Sequence, residues 1–332
     1  MNYFPAVSSI LSAAHLNRFL IDTYHLSGDT NCTIIKAGVN HTYAVTGSSG
    51  NYVFRVYCHS WRTEREIMEE IRLIEHLRVN NIPVSYAIAD TGGNYIQQLQ
   101  AIEGDRFGVL FSYAEGEKLF YSSGETHSRI GEIMGRIHNL TQGFKMDRVI
   151  YTPEILLDES FEQLKQFVPL DTDEMKFMLS AKEYLSGILG QVNMEQVRQG
   201  AVHLDIWFDN LNISKQGEVT IFDFDNCGNG WLCYDVGYYL MQLFTVETDP
   251  KEYEAKAACF LNGYESVAEL SDEEKRIIPF LGTVIYFFYL GVQCERFDDW
   301  SNVFISETYL KRFIVARVKK YFDYTMEQLA RP

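Results

Sequence analysis

The sequence has little of what marks disulfide-bonded, zinc-binding or nucleic-acid-binding proteins. Its 332 residues include six cysteines, which are scattered and form no C-x-x-C pair, so we expect reduced thiols rather than a disulfide framework or a zinc site. Basic residues are few: 29 Lys and Arg stand against 45 Asp and Glu, for a formal net charge of −16. Because binding to a phosphate backbone needs a basic surface, we expect no nucleic acid partner.

Long uninterrupted hydrophobic runs are also missing. The N-terminal residues lack the basic start and continuous apolar run of a signal peptide, and the most apolar stretch, residues 277–292, is interrupted by Pro279 and several Gly and Tyr residues. We therefore predict that no segment spans a membrane and that the protein is cytoplasmic. The sequence leaves the oligomeric state open, with a homodimer among the options.

What is present is a hydrophobic fraction of 46%, enough for a sizeable core. Runs of β-branched and aromatic residues predict a five-stranded antiparallel sheet near residues 32–113. Between two of these runs, Ile67, Ile71 and Ile74 recur at helical spacing, which predicts an amphipathic helix. After residue 114 the pattern is helical almost to the end, broken mainly at residues 200–231. The candidate strand segments are residues 32–39, 41–47, 52–57, 84–89, 95–99 and 107–113.

The break in the helical half carries polar residues suited to phosphoryl transfer. That chemistry requires a carboxylate that orients the attacking hydroxyl, and oxygen ligands for Mg²⁺. Asp205 suits the first role, while Asn210 on the same predicted loop and Asp223 at the end of a later strand suit the second. An ordinary surface loop with turn-forming Asn and Asp is the alternative, but it leaves unexplained why Asp223 follows directly on the apolar residues 219–222.

With these residues in this order, the chain resembles the aminoglycoside phosphotransferase and choline kinase family, which also includes homoserine kinases of the second type and a stress-response kinase. The family's H-G-D-x-x-x-x-N loop is matched by residues 203–210, with Leu204 in place of Gly, and its I-D-F strand by residues 222–224. The resemblance implies that Asp205 and His203 are catalytic. Weaker matches to the family imply that Gly135 and His138 occupy helix-packing positions and that Asp235 holds the catalytic loop.

The resemblance also implies a fold and its cofactors. We expect an α+β, bilobal protein-kinase-like fold with a small antiparallel β-sheet N-lobe and a larger, mostly helical C-lobe. Residues 1–113 would form the nucleotide-binding lobe with a leading helix, and residues 114–332 the lobe with the catalytic loop and acceptor pocket. ATP is the implied phosphate donor, and Mg²⁺ the implied metal.

On the nucleotide side, the resemblance implies a phosphate loop, a cation and an adenine contact. Arg55 falls where the family more often has Lys, and its implied partner is Glu70; an outward-facing Arg on a strand is the alternative. Gly38 and Asn40 would form the turn over the phosphates, although they suit an ordinary hairpin equally. The implied adenine contacts are the backbone groups of Ser112, Tyr113 and Ala114.

The acceptor is predicted to be a small molecule. Trp207, assigned to the acceptor side, stands where eukaryotic Ser/Thr protein kinases have Lys, and a helical pattern begins soon after Asp223, which leaves no room for a long activation segment. An acidic, aromatic cluster suits a cationic amine, although a solvated helix end is the alternative. This cluster comprises Glu295, Asp298, Asp299 and Trp300.

The leading interpretation is therefore an ATP-dependent phosphotransferase that acts on a hydroxyl of a homoserine-like molecule, choline, an aminoglycoside, another amino-alcohol or a sugar. A catalytically silent kinase-like binding module and an atypical Ser/Thr protein kinase of the stress-response type are the alternatives. The sequence leaves open the choice between ATP and GTP and the role of Asp225.

Overall fold

A computed structural model describes residues 4–296 and 306–331. The described residues form two compact units, with the division between Glu115 and Gly116.

The first unit is an antiparallel sheet with two helices. Strands β1 to β3 are consecutive hairpin partners, and β3 pairs with β6. Strands β4 and β5 both pair with β6, β4 beside Leu110 and Phe111 and β5 beside residues 104–109. Its elements are α1 (Ala13–Tyr24), β1 (Asn31–Ala37), β2 (Asn40–Gly47), β3 (Gly50–Tyr57), α2 (Glu64–Val79), β4 (Ala87–Ile88), β5 (Ile96–Ala101) and β6 (Gly104–Ser112).

The sheet has six strands, so the predicted number of five was wrong. The turn at residues 91–94, where Asp90 accepts hydrogen bonds from the N–H groups of Gly92 and Asn94, separates two strands that do not pair with each other. These strands, β4 and β5, each pair with β6 instead, so they are two separate strands of the sheet. The number of strands therefore depends on which strands pair, and turn residues do not encode that pairing.

Helices cover the sheet with apolar side chains at helical spacing. Leu16 and Leu20 of α1 pack in one core with Tyr43, Phe54 and Leu110 of the strands, which accounts for the predicted leading helix. Helix α2 begins at a capping box, in which Thr63 and Glu66 satisfy each other's backbone N–H.

The second unit is mostly helical, with two small antiparallel ribbons. Strand β7 pairs with β10, and β8 with β9; β10 was not predicted. The helices are α3 (Gly124–Thr141), α4 (Ser160–Leu164), α5 (Asp173–Leu189), α6 (Cys233–Val246), α7 (Pro250–Glu265), α8 (Asp272–Glu295), α9 (Glu307–Phe313) and α10 (Lys320–Leu329), and the strands are β7 (Gln199–Val202), β8 (Leu211–Ile213), β9 (Val219–Ile221) and β10 (Gly228–Trp231).

Helix α8 contains the most apolar stretch of the sequence. It continues through Pro279 for 24 residues and, by length and composition alone, is long enough to cross a membrane, so the interruptions in its sequence do not shorten the helix. However, 78% of its most apolar window is buried inside the protein, as is typical of a core helix.

Two glycines allow α3 and α7 to pack with their backbones in contact. A Cβ added at Gly131 would overlap the carbonyl oxygen of Phe260, and one added at Gly263 would overlap the carbonyl oxygen of Ser128. Backbone atoms cannot move aside as a side chain can, so both positions require glycine.

We predict that Gly131→Ala lowers the thermal midpoint of unfolding, because the added methyl group must push α3 away from α7, at a cost of about 1–3 kcal/mol. Gly187→Ala, on α5, is the matched control: nothing lies within 4 Å of its added Cβ, so it should raise the midpoint slightly through helix propensity. Scanning calorimetry of both variants provides the measurement. Equal midpoints for the two would contradict the proposed contact.

Candidate active site

Asp235, on α6, holds the backbone of the loop at residues 203–210. Its carboxylate accepts hydrogen bonds from the N–H groups of His203 (3.0 Å) and Leu204 (2.6 Å). Asp235 is fully buried, so these bonds supply the compensation that a buried carboxylate needs. The loop is thereby fixed at its start by a helix distant in sequence.

Leu204 adopts the backbone conformation that glycine adopts readily. Its φ is +65°, which costs an ordinary residue about 1–2 kcal/mol. Its N–H is bound by Asp235, and its carbonyl accepts a hydrogen bond from the Tyr289 hydroxyl at 3.1 Å. Both polar groups of the strained residue are therefore bound, and the loop keeps this conformation without glycine.

His203 connects the loop to the end of β9. Its Nδ1 accepts from the N–H of Asp205 (3.1 Å), so Nε2 is the protonated nitrogen and donates to the carbonyl of Phe222 (3.2 Å). Burial lowers the pKa of His203, which favours the neutral ring. Both ring nitrogens of His203 are therefore bound within the protein, and its catalytic role stays a prediction.

The carboxylate of Asp205 is held at both oxygens. The Tyr238 hydroxyl donates to Oδ1 at 2.7 Å, and Asn210 Nδ2 donates to Oδ2 at 2.7 Å. Burial, the largest cause, and the charge of Asp223 together raise the pKa of Asp205 to about 7, although the hydrogen bonds from Tyr238 and Asn210 lower it. A carboxyl group that titrates near neutral pH can accept a proton from a hydroxyl and release it again.

Asn210 and Asp223 are brought together beside Asp205. The carbonyl of Asn210 accepts from the N–H of Phe222 at 3.0 Å, which places Asn210 next to Asp223. Since Asn210 Nδ2 donates to Asp205, the amide oxygen is the atom available to a cation. Asp223 has a φ of +66°, which Asp tolerates better than most residues. The amide and carboxylate oxygens form the kind of donor set that Mg²⁺ prefers, so these residues fit the predicted metal.

A buried chain of hydrogen bonds lies behind Asp235. His138 Nε2 lies 3.2 Å from Oδ2 of Asp235, and its Nδ1 lies 2.7 Å from the Tyr264 hydroxyl. Arg198 donates to that hydroxyl at 2.9 Å and forms an ion pair with Glu274. The arginine can only donate, so Tyr264 donates onward to His138, and His138 donates to Asp235. The weakly predicted packing position His138 thus supports the loop through Asp235.

In the first unit, Arg55 and Glu70 form a buried ion pair of 2.7 Å. Tyr57 donates to the second oxygen of Glu70 at 2.8 Å and accepts from Arg55 at 3.3 Å. The guanidinium also lies over the Phe111 ring, 4.9 Å from its centroid. Arg55 is only 8% exposed, so the alternative of an outward-facing Arg is excluded, and its contact with phosphate stays a prediction.

The turn between β1 and β2 contains Gly38 and Asn40. Gly38 donates its N–H to the carbonyl of Asn40 at 3.1 Å, and a Cβ at Gly38 would make only ordinary contacts, so the hairpin itself does not require glycine. The side-chain oxygen Oδ1 of Asn40 is buried without a hydrogen-bond partner. The phosphate-binding role of this turn stays a prediction.

The predicted adenine contacts follow β6. The N–H of Ser112 donates to the carbonyl of Tyr86 at 2.8 Å, and its carbonyl accepts from the Ser85 hydroxyl at 2.6 Å. The backbone groups of Ser112 are therefore engaged within the sheet, and the adenine contacts of Ser112, Tyr113 and Ala114 stay a prediction.

The predicted acceptor residues are only partly described. Trp207 lies in the loop directly before the 3₁₀ turn Phe208–Asn210, and Glu295 is exposed as the last residue of α8. Asp298, Asp299 and Trp300 lie outside the described residues. Their role toward the acceptor stays a prediction.

Three tyrosines with a place in these networks escaped the sequence analysis. Tyr238 follows Asp235 by three residues on a helix and therefore shares its face, a signal that could have been found. Tyr289 and Tyr57 reach their partners through tertiary packing and had no comparable local signal.

Comparison with known proteins identifies relatives of this chain. A model described as the phosphotransferase enzyme family matches residues 31–270. An amicoumacin kinase of Bacillus subtilis is 25% identical over 269 residues, which cover 78% of this chain and 78% of the relative.

Solved kinase structures share the fold. The structure of a microcompartment-associated aminopropanol kinase superposes with a TM-score of 0.78 at 19% identity, covering 96% of this chain and 99% of the other. An amicoumacin kinase in complex with AMP-PNP, Ca²⁺ and Ami gives a TM-score of 0.75 at 21% identity, with 96% and 94% covered. The predicted kinase-like fold is confirmed. Since the family model spans more than half of its residues, the chain belongs to the phosphotransferase enzyme family and is an enzyme of the kinase type.

Proposed function

We propose that this enzyme transfers the γ-phosphate of ATP, with Mg²⁺, to a hydroxyl group of a small amino-alcohol. The observation that carries the proposal is the Asp205 carboxylate, held at both oxygens beside Asn210 and Asp223. The likeness to kinases of aminopropanol and amicoumacin supports a small acceptor, and the net charge of −16 favours a cationic one.

Each unit has its own task in this proposal. The sheet unit, predicted as residues 1–113, would bind the nucleotide, with Arg55 reaching the phosphates and Glu70 and Tyr57 fixing its guanidinium. The helical unit, predicted as residues 114–332, would supply the catalytic loop and the acceptor pocket. Arg offers phosphate a planar pair of donors where Lys offers a point charge.

In the transfer step, Asp205 would accept a hydrogen bond from the acceptor hydroxyl and thereby point the hydroxyl oxygen at the γ-phosphorus. A bond forms between that oxygen and phosphorus, and the bond from phosphorus to the β–γ bridging oxygen breaks, releasing ADP. The hydroxyl proton passes to Asp205 late in the step and then to solvent. Asn210 and Asp223 would hold Mg²⁺, which when bound neutralises phosphate charge.

The short connection after Asp223 favours a small acceptor over a protein. A 3₁₀ turn, Phe224–Asn226, and strand β10 fill the interval before α6 begins at Cys233. A protein kinase needs a long activation segment in this place.

We predict that Asp205→Asn lowers turnover by about two orders of magnitude or more, the scale for a positioned general base. The nucleotide should bind nearly as well, because the change keeps the size of the side chain. Steady-state turnover with the true acceptor and calorimetric ATP affinity are the two measurements. Asp209→Asn, in the same loop and paired with Lys118, is the matched control and should keep turnover. Near-parental turnover in Asp205→Asn would refute its catalytic role.

We predict that Mg²⁺ strengthens nucleotide binding in the parent and that Asp223→Ala abolishes this gain, because the main carboxylate ligand is lost. Isothermal calorimetry with ATP, with and without Mg²⁺, checks both statements. Asp209→Ala serves as the control and should respond to Mg²⁺ like the parent. The metal assignment fails if all affinities are equal.

We predict that ATP turnover rises in the presence of amino-alcohols and not in the presence of generic protein substrates. The measurement is ADP release across a panel of amino-alcohols, homoserine, choline, aminoglycosides and sugars, with Asp205→Asn as the blank. Release that rises only with protein substrates would contradict a small acceptor.

A further inference from the structure

Two tyrosine hydroxyls from different helices converge on the start of the catalytic loop. Tyr238 of α6 donates to Oδ1 of Asp205 at 2.7 Å, and Tyr289 of α8 donates to the carbonyl of Leu204 at 3.1 Å. Their rings stack with centroids 5.5 Å apart and an interplanar angle of 24°. Tyr238 is only 2% exposed, so the protein holds its hydroxyl against the carboxylate.

One face of α6 holds both the loop backbone and the loop carboxylate. Asp235 and Tyr238 are three residues apart, and residues at that spacing are neighbours on a helix surface. Asp235 binds the N–H groups of His203 and Leu204, while Tyr238 binds the side chain of Asp205. A single rigid element therefore defines where the loop lies and where its carboxylate points.

A hydrogen bond on each oxygen controls a torsion that is otherwise soft. The torsion about the Cβ–Cγ bond of Asp has broad minima, so one donor alone leaves the plane of the carboxylate loosely defined. Asn210 holds Oδ2 from within the loop, and Tyr238 holds Oδ1 from α6. Since an ionised carboxylate offers about four lone-pair sites, an acceptor hydroxyl can still donate to it.

We infer that Tyr238 is a positioning residue that fixes the plane of the Asp205 carboxylate for the acceptor hydroxyl. The inference rests on the proposed function. Tyr238 contacts neither nucleotide nor acceptor in this scheme and acts on the reaction through Asp205. Its removal therefore affects the transfer step and leaves ATP binding unchanged.

The test is Tyr238→Phe, which removes one oxygen atom and keeps the ring that stacks on Tyr289. We expect kcat for transfer to the best acceptor to fall between about 10- and 100-fold, since misplacing a reacting group by about 1 Å costs on the order of 100-fold. The KM for ATP should not change. A parental kcat in Tyr238→Phe overturns the inference.

Tyr239→Phe is the matched control on the same helix. Tyr239 is fully buried, its hydroxyl lies 2.8 Å from Nδ1 of His127, and its ring stacks on Phe260. Each variant loses one buried hydroxyl with its hydrogen bond, so the two should lower the thermal midpoint similarly. Only Tyr238→Phe should lower kcat, and an equal loss of kcat in both would show a merely structural effect and overturn the inference.

A double-mutant cycle shows whether Tyr238 acts through Asp205. In an Asp205→Asn background, Tyr238→Phe should have almost no further effect on kcat, because residues that act as a unit are not additive. Multiplicative losses in the double variant overturn the inference. A parent enzyme without turnover on any acceptor is a different result, because it refutes the proposed function itself.

Discussion

The buried carboxylate of Asp235 is the constraint on which the candidate active site depends. Without the N–H groups of His203 and Leu204, a fully buried carboxylate would carry a large desolvation cost. Without that carboxylate, Leu204 would lose the contact at its N–H that stabilises its left-handed backbone. Each side of the contact thus stabilises what is unfavourable in the other, and the loop at residues 203–210 takes one conformation because both costs are offset together.

The support for this contact extends through the helical unit. His138 of α3 binds Asp235, and Tyr264 of α7 binds His138. The glycines that let the backbones of α3 and α7 touch therefore also set the distance between His138 and Tyr264. Packing and polar contacts depend on each other here: a shift of one helix against the other would lengthen hydrogen bonds that end at the loop.

Electrostatic interactions and burial account for the raised pKa of Asp205 in the loop. Two carboxylates, Asp205 and Asp223, lie close enough that the charge of Asp223 adds to the effect of burial, and together they raise the pKa of Asp205 to about 7. Such an arrangement is unfavourable in isolation and becomes favourable when positive charge is bound beside it. The Tyr238 hydroxyl and the Asn210 side-chain amide donate the hydrogen bonds that hold the Asp205 carboxylate in place. The two neighbouring carboxylates therefore fit the Mg²⁺ that the proposed function requires.

The sequence by itself determined most strands and the order and spacing of Asp205, Asn210 and Asp223, because residue type and local periodicity encode these directly. The resemblance to a known family added the leading helix and the pairing of Arg55 with Glu70, both of which the structure contains. The sequence did not show what depends on partners far along the chain. The sixth strand, the engaged Ser112 amide and the bound nitrogens of His203 follow from pairings that no local pattern records. The hydroxyls of Tyr57 and Tyr289 likewise reach their partners only through tertiary packing. Tertiary structure decided these because a hydrogen bond depends on distance in space, and elements far apart in sequence meet only when the core forms.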